Sequence, residues 1–189
     1  MNEWSYGAPA NTPTNWRLAP VFTSGSTATT INENSGENQV IYTAATTDAD
    51  GTLANQAVTY SLKEVDDYAA FSIDPTTGEV TLTADPNYET QSSYSFTVVA
   101  TNVGTDVTQT TEQAVTLAIN DLNDNAPVFK QTDYEINIGE GTLIGTHIMQ
   151  FIATDADLQG TDNSKIIFDI TSGNDGNLFE LEATTGILK

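Results

Sequence analysis

The chain has 189 residues, and its 38% hydrophobic content is sufficient for a folded core, which excludes global disorder. Its 26 Asp and Glu residues outnumber the 5 Lys and Arg residues, and the net charge of -21 disfavours nucleic acids and anionic membranes as partners, because both require clustered cations. The absence of Cys excludes disulfides and thiolate metal sites, and no apolar run approaches the length of about 18 residues that a membrane span requires.

Alternation of apolar and polar residues with a period of two predicts β-strands between residues 29 and 120. Tyr94, Phe96 and Val98 alternate with small or polar residues, and Val115 and Leu117 do so later in the chain. This is the pattern of strands with one buried face. The predicted strands lie near 29–33, 39–45, 57–62, 70–73, 79–83, 94–101 and 113–120. About seven strands in about 105 residues indicate an all-β fold, a Greek-key β-sandwich.

An internal repeat extends this pattern into the second half of the chain. "APVF" at 19–22 returns at 126–129, and "TDAD" at 47–50 returns at 154–157, both with the same displacement along the chain. "VTYSL" and "TTGEV" are matched by "IIFDI" and "TTGIL", whose displacement is larger by a single position. Displacements this regular indicate two copies of one structural unit.

The two copies meet at the Asp- and Asn-rich stretch "DLNDN". We assign 1–19 to an N-terminal extension, 20–125 to a complete repeat and 126–189 to a second repeat. The second copy contains no counterparts of residues 83–125, so we expect its apolar positions to lack half of their packing partners until strands from elsewhere complete it. These positions include Ile136, Ile138, Ile148, Phe151, Ile167 and Phe168.

Several stretches together resemble extracellular cadherin repeats, namely "INENSGENQVI", "TDADG", "FSIDPTTGEVTL", "NYET" and "INDLNDNAPVF". The resemblance covers 20–125 completely and 126–189 as far as they extend. It implies tandem β-sandwiches of the cadherin/immunoglobulin-like type, with seven strands in the complete repeat. It also implies a non-enzymatic adhesion or surface module, extracellular or at the cell surface, with about two to three calcium ions at the junction between repeats.

The chemistry of the oxygen-rich stretches agrees with this resemblance. Calcium takes six to eight oxygen ligands, whereas zinc and copper favour the Cys and His that this chain largely lacks. The single histidine, His147, lies in an apolar stretch, and we expect it to pack or to lie at the surface. Asp and Asn also favour turns on their own account, but their recurrence at matching places of a repeat favours a metal site.

The resemblance implies a set of calcium ligands, carried over position by position. The set comprises Glu33, Asn87, Glu89, Asp121 as a flanking residue, the Leu122 carbonyl, Asn123, Asp124, the Asn125 carbonyl, Asp155, Asp157 and the Asn163 carbonyl. At about 5 Å and an effective dielectric of about 20, each pair of carboxylates costs about 3 kcal/mol, so we expect the metal-free junction to open and calcium to close it. Asn87 stands where the family has an Asp, so we expect weaker binding of the outermost ion.

The N-terminal residues resemble the family less closely. Positions 14–18 contain no carboxylate, so we expect Asp48 and Asp50 to have no metal-binding partners before them. Trp16 lies at the spacing of the docking Trp of adhesion cadherins, but fifteen residues precede it. We therefore expect Trp4 and Trp16 to pack on their own domain.

The expected partners are calcium and a homophilic or heterophilic protein contact or a surface glycan. The alternative function is a carbohydrate-binding module of a large bacterial surface protein or of a secreted polysaccharide-active protein, since bacterial surface proteins also contain cadherin-like repeats. A glycosidase needs two acids facing each other in a cleft, and acids at the poles of small sandwiches do not provide one.

Overall fold

The structure, a computed structural model, describes residues 18–49, 57–102 and 108–189. The expectations for Trp4, Trp16 and Asp50 concern residues outside these ranges. The chain divides into two compact units. The first contains the described residues through Ile31, Ser35–Pro86 and Ser93–Ala118, and the second contains Asn32–Asn34, Asn87–Ser92 and Ile119–Lys189.

The described part of the first sequence copy forms two sheets and a separate strand pair. The strands are β1 Val21–Phe22, β2 Ile31–Asn32, β3 Gln39–Thr43, β4 Thr46–Thr47, β5 Val58–Leu62, β6 Phe71–Ile73, β7 Glu79–Leu82, β8 Ser93–Asn102 and β9 Gln109–Asn120. One sheet has the order β2-β9-β8-β5, the other has the order β3-β7-β6, and β1 pairs with β4. The seven predicted strands correspond to the members of the two sheets, which confirms the β-sandwich. The two-residue strands β1 and β4 were not predicted.

The core of the first unit lies between its two sheets. Phe96 and Val98 of β8 and Leu117 of β9 are fully buried. Phe71 and Tyr42, from the three-stranded sheet, contact the ring of Phe96 at centroid distances of 4.5 and 6.0 Å. Fully burying one such side chain stabilises a fold by about 1.5–3 kcal/mol, so the alternating residues of β8 and β9 anchor the sandwich.

The second copy repeats the strand pairing of the first. Its strands are β10 Val128–Phe129, β11 Met149–Gln150, β12 Ala153–Thr154 and β13 Ile187–Leu188. β10 pairs with β12 in the register that β1 and β4 adopt, and β11 pairs with β13 as β3 pairs with β7. Within the described ranges the helical content is a 3-10 turn at Tyr68–Ala70. None of the described segments forms a helix that could span a membrane.

Two glycines at equivalent positions show that the copies share local structure. Gly78 and Gly186 both have positive φ angles, of 74° and 69°. A Cβ on Gly78 would lie 2.6 Å from the carbonyl oxygen of Ala44, and a Cβ on Gly186 would collide with the carbonyl oxygen of Phe151. The N–H groups of Ala44 and Phe151 donate to the carbonyl oxygens of these glycines, at 2.8 Å in both copies. Only glycine meets both requirements, which explains why it recurs in the two "TTG" turns.

The apolar side chains of the second copy remain open to solvent. Ile136, Ile138 and Ile167 are 43%, 45% and 65% exposed, and no described hydrophobic side chain between residues 126 and 189 is buried. The other three positions named in the sequence analysis, Ile148, Phe151 and Phe168, are half-buried. In the first copy β8 and β9 supply half of the core, and their counterparts do not occur between residues 126 and 189. The sequence predicted this deficit of packing partners.

Candidate metal centre

The second compact unit contains all the residues of the implied ligand set. It combines the short segments Asn32–Asn34 and Asn87–Ser92 with the chain from Ile119 onward. Residues far apart in sequence, such as Glu33 and Leu122, therefore make direct hydrogen bonds. The structure brings most of the implied set together. Several members of the set also form hydrogen bonds that hold the surrounding loops in place.

Glu33 fixes the positions of two loops. Its side chain is 0% exposed and follows directly after β2. Its Oε2 atom accepts the backbone N–H of Tyr88 at 2.7 Å, and its Oε1 atom accepts the backbone N–H of Leu122 at 2.7 Å. A buried carboxylate needs such partners, because burial removes it from water. Glu33 thereby holds the turn that carries Glu89 next to the loop that carries Asp124.

Two groups of carboxylates are close enough to share cations. One oxygen from each of Glu33, Glu89 and Asp124 lies within 4.8 Å of the others, and so does one oxygen from each of Glu89, Asp121 and Asp157. Glu89 is common to both groups. Loss of solvation, and then the charges of Glu33 and Asp124, raise the pKa of Glu89 above its ordinary value. Desolvation and the neighbouring negative charges both disfavour the ionised form of Glu89.

Asp157 is the most deeply buried acid of the second group, with 1% exposure. Its Oδ1 atom accepts the side-chain N–H of Asn125 at 2.8 Å and the backbone N–H of Asn125 at 3.3 Å. Its Oδ2 atom is buried and has no hydrogen-bond partner among the described residues. Leaving a buried charged oxygen unpaired is costly, and a cation is the partner that would satisfy it.

No described basic side chain neutralises these carboxylates. Within the described ranges the ion pairs are Lys63 with Glu112 and Lys189 with Glu182, and neither involves a member of the two groups. The available ligands are therefore carboxylate, amide and carbonyl oxygens. This set fits a hard cation such as calcium, which binds oxygen ligands through flexible geometries.

Hydrogen bonds also organise the second "TDAD" stretch, residues 154–157, and its neighbours. The Oδ1 atom of Asp155 accepts the backbone N–H of Asp157 at 3.0 Å, a short-range turn that Asp favours. The Oδ1 atom of Asp121 accepts the backbone N–H of Leu158 at 3.0 Å. The side-chain amide of Asn163 donates to the Oδ2 atom of Asp121. Asp121 therefore connects the "DLNDN" loop to the loop that follows "TDAD".

Three asparagine amides donate to the acids of the cluster, a feature that the sequence analysis did not anticipate. Asn34 donates through Nδ2 to the Oδ2 atom of Asp124, and Asn125 donates to the Oδ1 atom of Asp124 at 2.6 Å. The third donor is Asn163, described above. Amide donors offset part of the repulsion between carboxylates without adding charge. The signal in the sequence was the high density of Asn beside the acids, which we interpreted only as a supply of oxygen ligands.

Two of the implied ligands are placed less favourably. The Oδ1 atom of Asn87 accepts the backbone N–H of Thr90 at 2.8 Å and so closes a turn. The carbonyl oxygen of Leu122 accepts the backbone N–H of Asp124 at 3.0 Å. The side chain of Asn123 is exposed. Asn87 and Leu122 therefore support their own loops in the described structure.

Two other expectations concern residues outside the cluster. The single histidine, His147, is exposed, in agreement with a surface role. Asp48, which was expected to have no metal-binding partner before it, accepts a hydrogen bond from the side-chain amide of the fully buried Asn102. Asp50, the next acid of the same stretch, lies outside the described residues.

Comparison with known proteins gives consistent matches. The Cadherin domain family model matches residues 27–120 and 134–189. Human Protocadherin Fat 1 is 35% identical over 162 residues, which cover 86% of this chain and 4% of that protein. Mouse Desmoglein-3 is 36% identical over 179 residues, which cover 90% of this chain and 18% of that protein.

A solved structure gives the same result at the level of the fold. The crystal structure of mouse Cadherin-23 EC22-24 matches with a TM-score of 0.78 and 26% identity, over 90% of this chain and 53% of that chain. The chain thus spans a small part of the curated relatives named above and about half of this solved fragment. A family model that matches most of the chain, together with the identity to these two relatives over most of its length, shows that the chain belongs to the cadherin family.

Proposed function

We propose that this chain is a calcium-dependent extracellular adhesion module, in which calcium bound at the carboxylate cluster makes the repeat array rigid. One observation carries the proposal: the Oδ2 atom of Asp157 is buried and has no hydrogen-bond partner in the described part of the chain. The carboxylate of Asp157 lies close to those of Glu89 and Asp121. Family membership supports it, because cadherin-family proteins are adhesion proteins and not enzymes.

Two ions are accommodated by the two groups of acids. Glu89, Asp121 and Asp157 would hold one, and Glu33, Glu89 and Asp124 would hold the other. Because calcium needs six to eight oxygens, other residues of the implied set would complete each shell. These residues are Asn87, Leu122, Asn123, Asn125, Asp155 and Asn163. A third ion, at the upper end of the expected number, would depend on the same residues.

Electrostatic repulsion within the cluster makes cation binding favourable. Two unit charges at 4.8 Å repel by about 3.5 kcal/mol at an effective dielectric of about 20. Glu89 belongs to both groups and therefore contributes to the repulsion in each. Bound calcium supplies positive charge that offsets this repulsion, so the protein would hold the cluster closed most strongly when calcium is present.

The cluster also gives calcium a mechanical role. Glu33 and Glu89 belong to the first sequence copy, whereas Asp155 and Asp157 belong to the second. An ion bound by both sets would restrict the motion of one copy relative to the other. The division into repeats at 20–125 and 126–189, with an extension at 1–19, is part of this proposal.

The proposed location of the protein follows from the calcium affinity that such a site provides. Extracellular calcium modules bind with dissociation constants of about 10⁻⁴ to 10⁻³ M, which suits the calcium-rich exterior of the cell. We therefore place the protein at the cell surface. Membership of the cadherin family supports a homophilic or heterophilic protein contact as its partner. The relatives named above are animal proteins, and they give no support to a bacterial carbohydrate-binding module.

Titration calorimetry with calcium tests the metal site directly. The wild-type chain should bind calcium in the range given above, and Asp157→Asn should abolish binding to the group that contains Asp157. Asp169→Asn is the matched control, because Asp169 is an exposed carboxylate of the same copy and belongs to neither group. Absence of binding to the wild-type chain, or equal loss in both variants, would refute the proposal.

Bead aggregation and a glycan array test the adhesive function. A homophilic contact should make beads that carry the chain aggregate in calcium and disperse in chelator, because the contact requires a calcium-stiffened array. Binding to a glycan without bead aggregation would instead identify a carbohydrate partner and overturn the homophilic contact.

A further inference from the structure

Asn34 is an unusual residue beside the candidate metal centre. It follows the buried Glu33 and has a positive φ angle of 55°, a region that Asn tolerates better than most residues. Its Nδ2 atom donates a hydrogen bond to the Oδ2 atom of Asp124. An amide nitrogen of this kind does not bind cations, and Asn34 is absent from the implied ligand set. Its side chain therefore acts on the cluster through Asp124.

Asp124 has an exposed side chain, so burial alone does not fix its orientation. Each of its two oxygens accepts a hydrogen bond from a side-chain amide. Oδ2 accepts from Asn34, which is distant in the chain, and Oδ1 accepts from the adjacent Asn125. Each carboxylate oxygen offers two lone pairs. Asp124 can therefore keep both hydrogen bonds and still direct lone pairs at a cation.

We infer that Asn34 is a positioning residue, which holds the Asp124 carboxylate in the orientation that binds calcium. The inference rests on the proposed function. Hydrogen bonds to ligating carboxylates orient the ligands, and their removal typically lowers metal affinity about 10- to 100-fold. Asn34 also gives Asp124 a neutral donor in the metal-free protein, which limits the repulsion from Glu33 and Glu89. In the adjoining group the buried Oδ2 atom of Asp157, which no described residue hydrogen-bonds, independently indicates a cation site.

A purely conformational role for Asn34 is the alternative. The same loop provides the comparison, because Asn38 has a φ angle of 59° and an exposed side chain with no hydrogen bond to any described residue. Glycine adopts positive φ angles without strain. Asn34→Gly therefore preserves the backbone conformation and removes the amide, and Asn38→Gly is a matched substitution that removes no contact with the cluster.

Calcium calorimetry and unfolding in chelator separate these roles. We expect Asn34→Gly to weaken calcium binding about tenfold, while Asn38→Gly binds as the wild type does. In chelator Asn38→Gly should unfold at the wild-type temperature, and Asn34→Gly should unfold at a slightly lower temperature, because it loses the hydrogen bond to Asp124. If Asn34→Gly and Asn38→Gly bind calcium equally well, the inference is wrong. If the wild type itself does not bind calcium, the proposed function fails first.

Terbium luminescence provides a second readout that a structural role does not affect. Tb³⁺ replaces calcium at oxygen sites, and its decay rates in H₂O and D₂O report the water molecules on the bound ion. Asn34→Gly should add about one water, because the released Asp124 leaves a coordination position open. An unchanged water count, or a lowered unfolding temperature in chelator together with unchanged calcium affinity, would assign Asn34 to the fold alone.

Discussion

Replacement of Asp157 by Asn should change the stability of the protein in opposite directions with and without calcium. Asp157 is 1% exposed, and its Oδ1 atom accepts two hydrogen bonds from Asn125. An Asn side chain has the same shape and keeps an oxygen for those bonds. The substitution therefore removes one negative charge, at the buried Oδ2 position, while the packing stays the same.

The size of the effect follows from the distances within the group. The oxygens of Asp157, Glu89 and Asp121 lie within 4.8 Å of one another, and a full charge pair at that distance costs about 3.5 kcal/mol at a dielectric of about 20. Glu89 is exposed and Asp121 is half-buried, so solvent screens both pairs strongly. We therefore expect a gain of about 1–2 kcal/mol for the metal-free protein, or about 2–8 °C in unfolding temperature.

Differential scanning calorimetry in chelator and in calcium measures both directions. In chelator Asp157→Asn should unfold at a higher temperature than the wild type, and in calcium it should unfold at a lower temperature, because a ligand has been lost. Asp169→Asn should behave as the wild type does in both buffers. If Asp157→Asn is less stable than the wild type in chelator, the Asp157 carboxylate stabilises the fold without a metal. That result would refute the argument that its buried oxygen is a cation ligand.

Three other predictions concern pH, the Asn87 position and a glycine turn. Desolvation, with the charges of Glu33 and Asp124, raises the pKa of Glu89 above 4.5. Protonated Glu89 therefore stabilises the metal-free protein below pH 4.5. This contribution to stability is lost as the pH rises through the raised pKa. Urea unfolding in chelator at several pH values should show this trend, while calcium affinity should fall on acidification because protons compete for the carboxylate. Asn87→Asp should tighten calcium binding by about 1 kcal/mol, or about fivefold, because it adds a charge near the cluster; calorimetry showing no change would remove Asn87 from the site. Gly78→Ala should destabilise the first copy by more than about 1 kcal/mol in thermal unfolding, whereas Gly36→Ala, with a positive φ angle but open space around it, should cost less.

The sequence predicted the fold where the signal was local and periodic. β9 alternates exposed residues with buried or half-buried ones along its whole length, and the apolar positions that alternate in the sequence of β8, such as Phe96 and Val98, are buried. β1 and β4 consist of two residues each, and their pairing joins segments that β2 and β3 separate in the chain. Such short strands have no periodicity to detect, because tertiary contact rather than pattern determines them.

The internal repeat allowed predictions that periodicity alone does not. The displacement shared by "APVF" and "TDAD" places Phe151 at the position of Ala44, and in the structure both N–H groups donate to the carbonyl of an equivalent glycine. The repeat also predicted the open apolar face of the second copy, where Ile136 and Ile138 remain exposed. The repeat serves as an internal alignment, because the contacts of a residue in one copy predict those of the equivalent residue in the other.

The candidate site was predictable in its acids and not in its hydrogen bonds. Residue type identifies Glu33, Asp124 and Asp157 as oxygen ligands, but the burial of Asp157 and the bond from Asn34 to Asp124 depend on loops that meet only in the folded chain. A sequence shows which atoms are available. It does not show which of them are already occupied by a neighbour, as the Oδ1 atom of Asn87 is.

N–H donors offset part of the repulsion between the carboxylates of the cluster. The expectation that the metal-free cluster opens considered the carboxylates alone, at about 3 kcal/mol for each pair. In the structure Glu33 accepts two backbone N–H groups, and Asp124 accepts two side-chain amides. Hydrogen bonds to charged groups contribute about 1.5–3 kcal/mol each, which is comparable with one repulsive pair. Calcium would then act less by assembling the loops than by satisfying the charge that these donors leave, above all on Asp157.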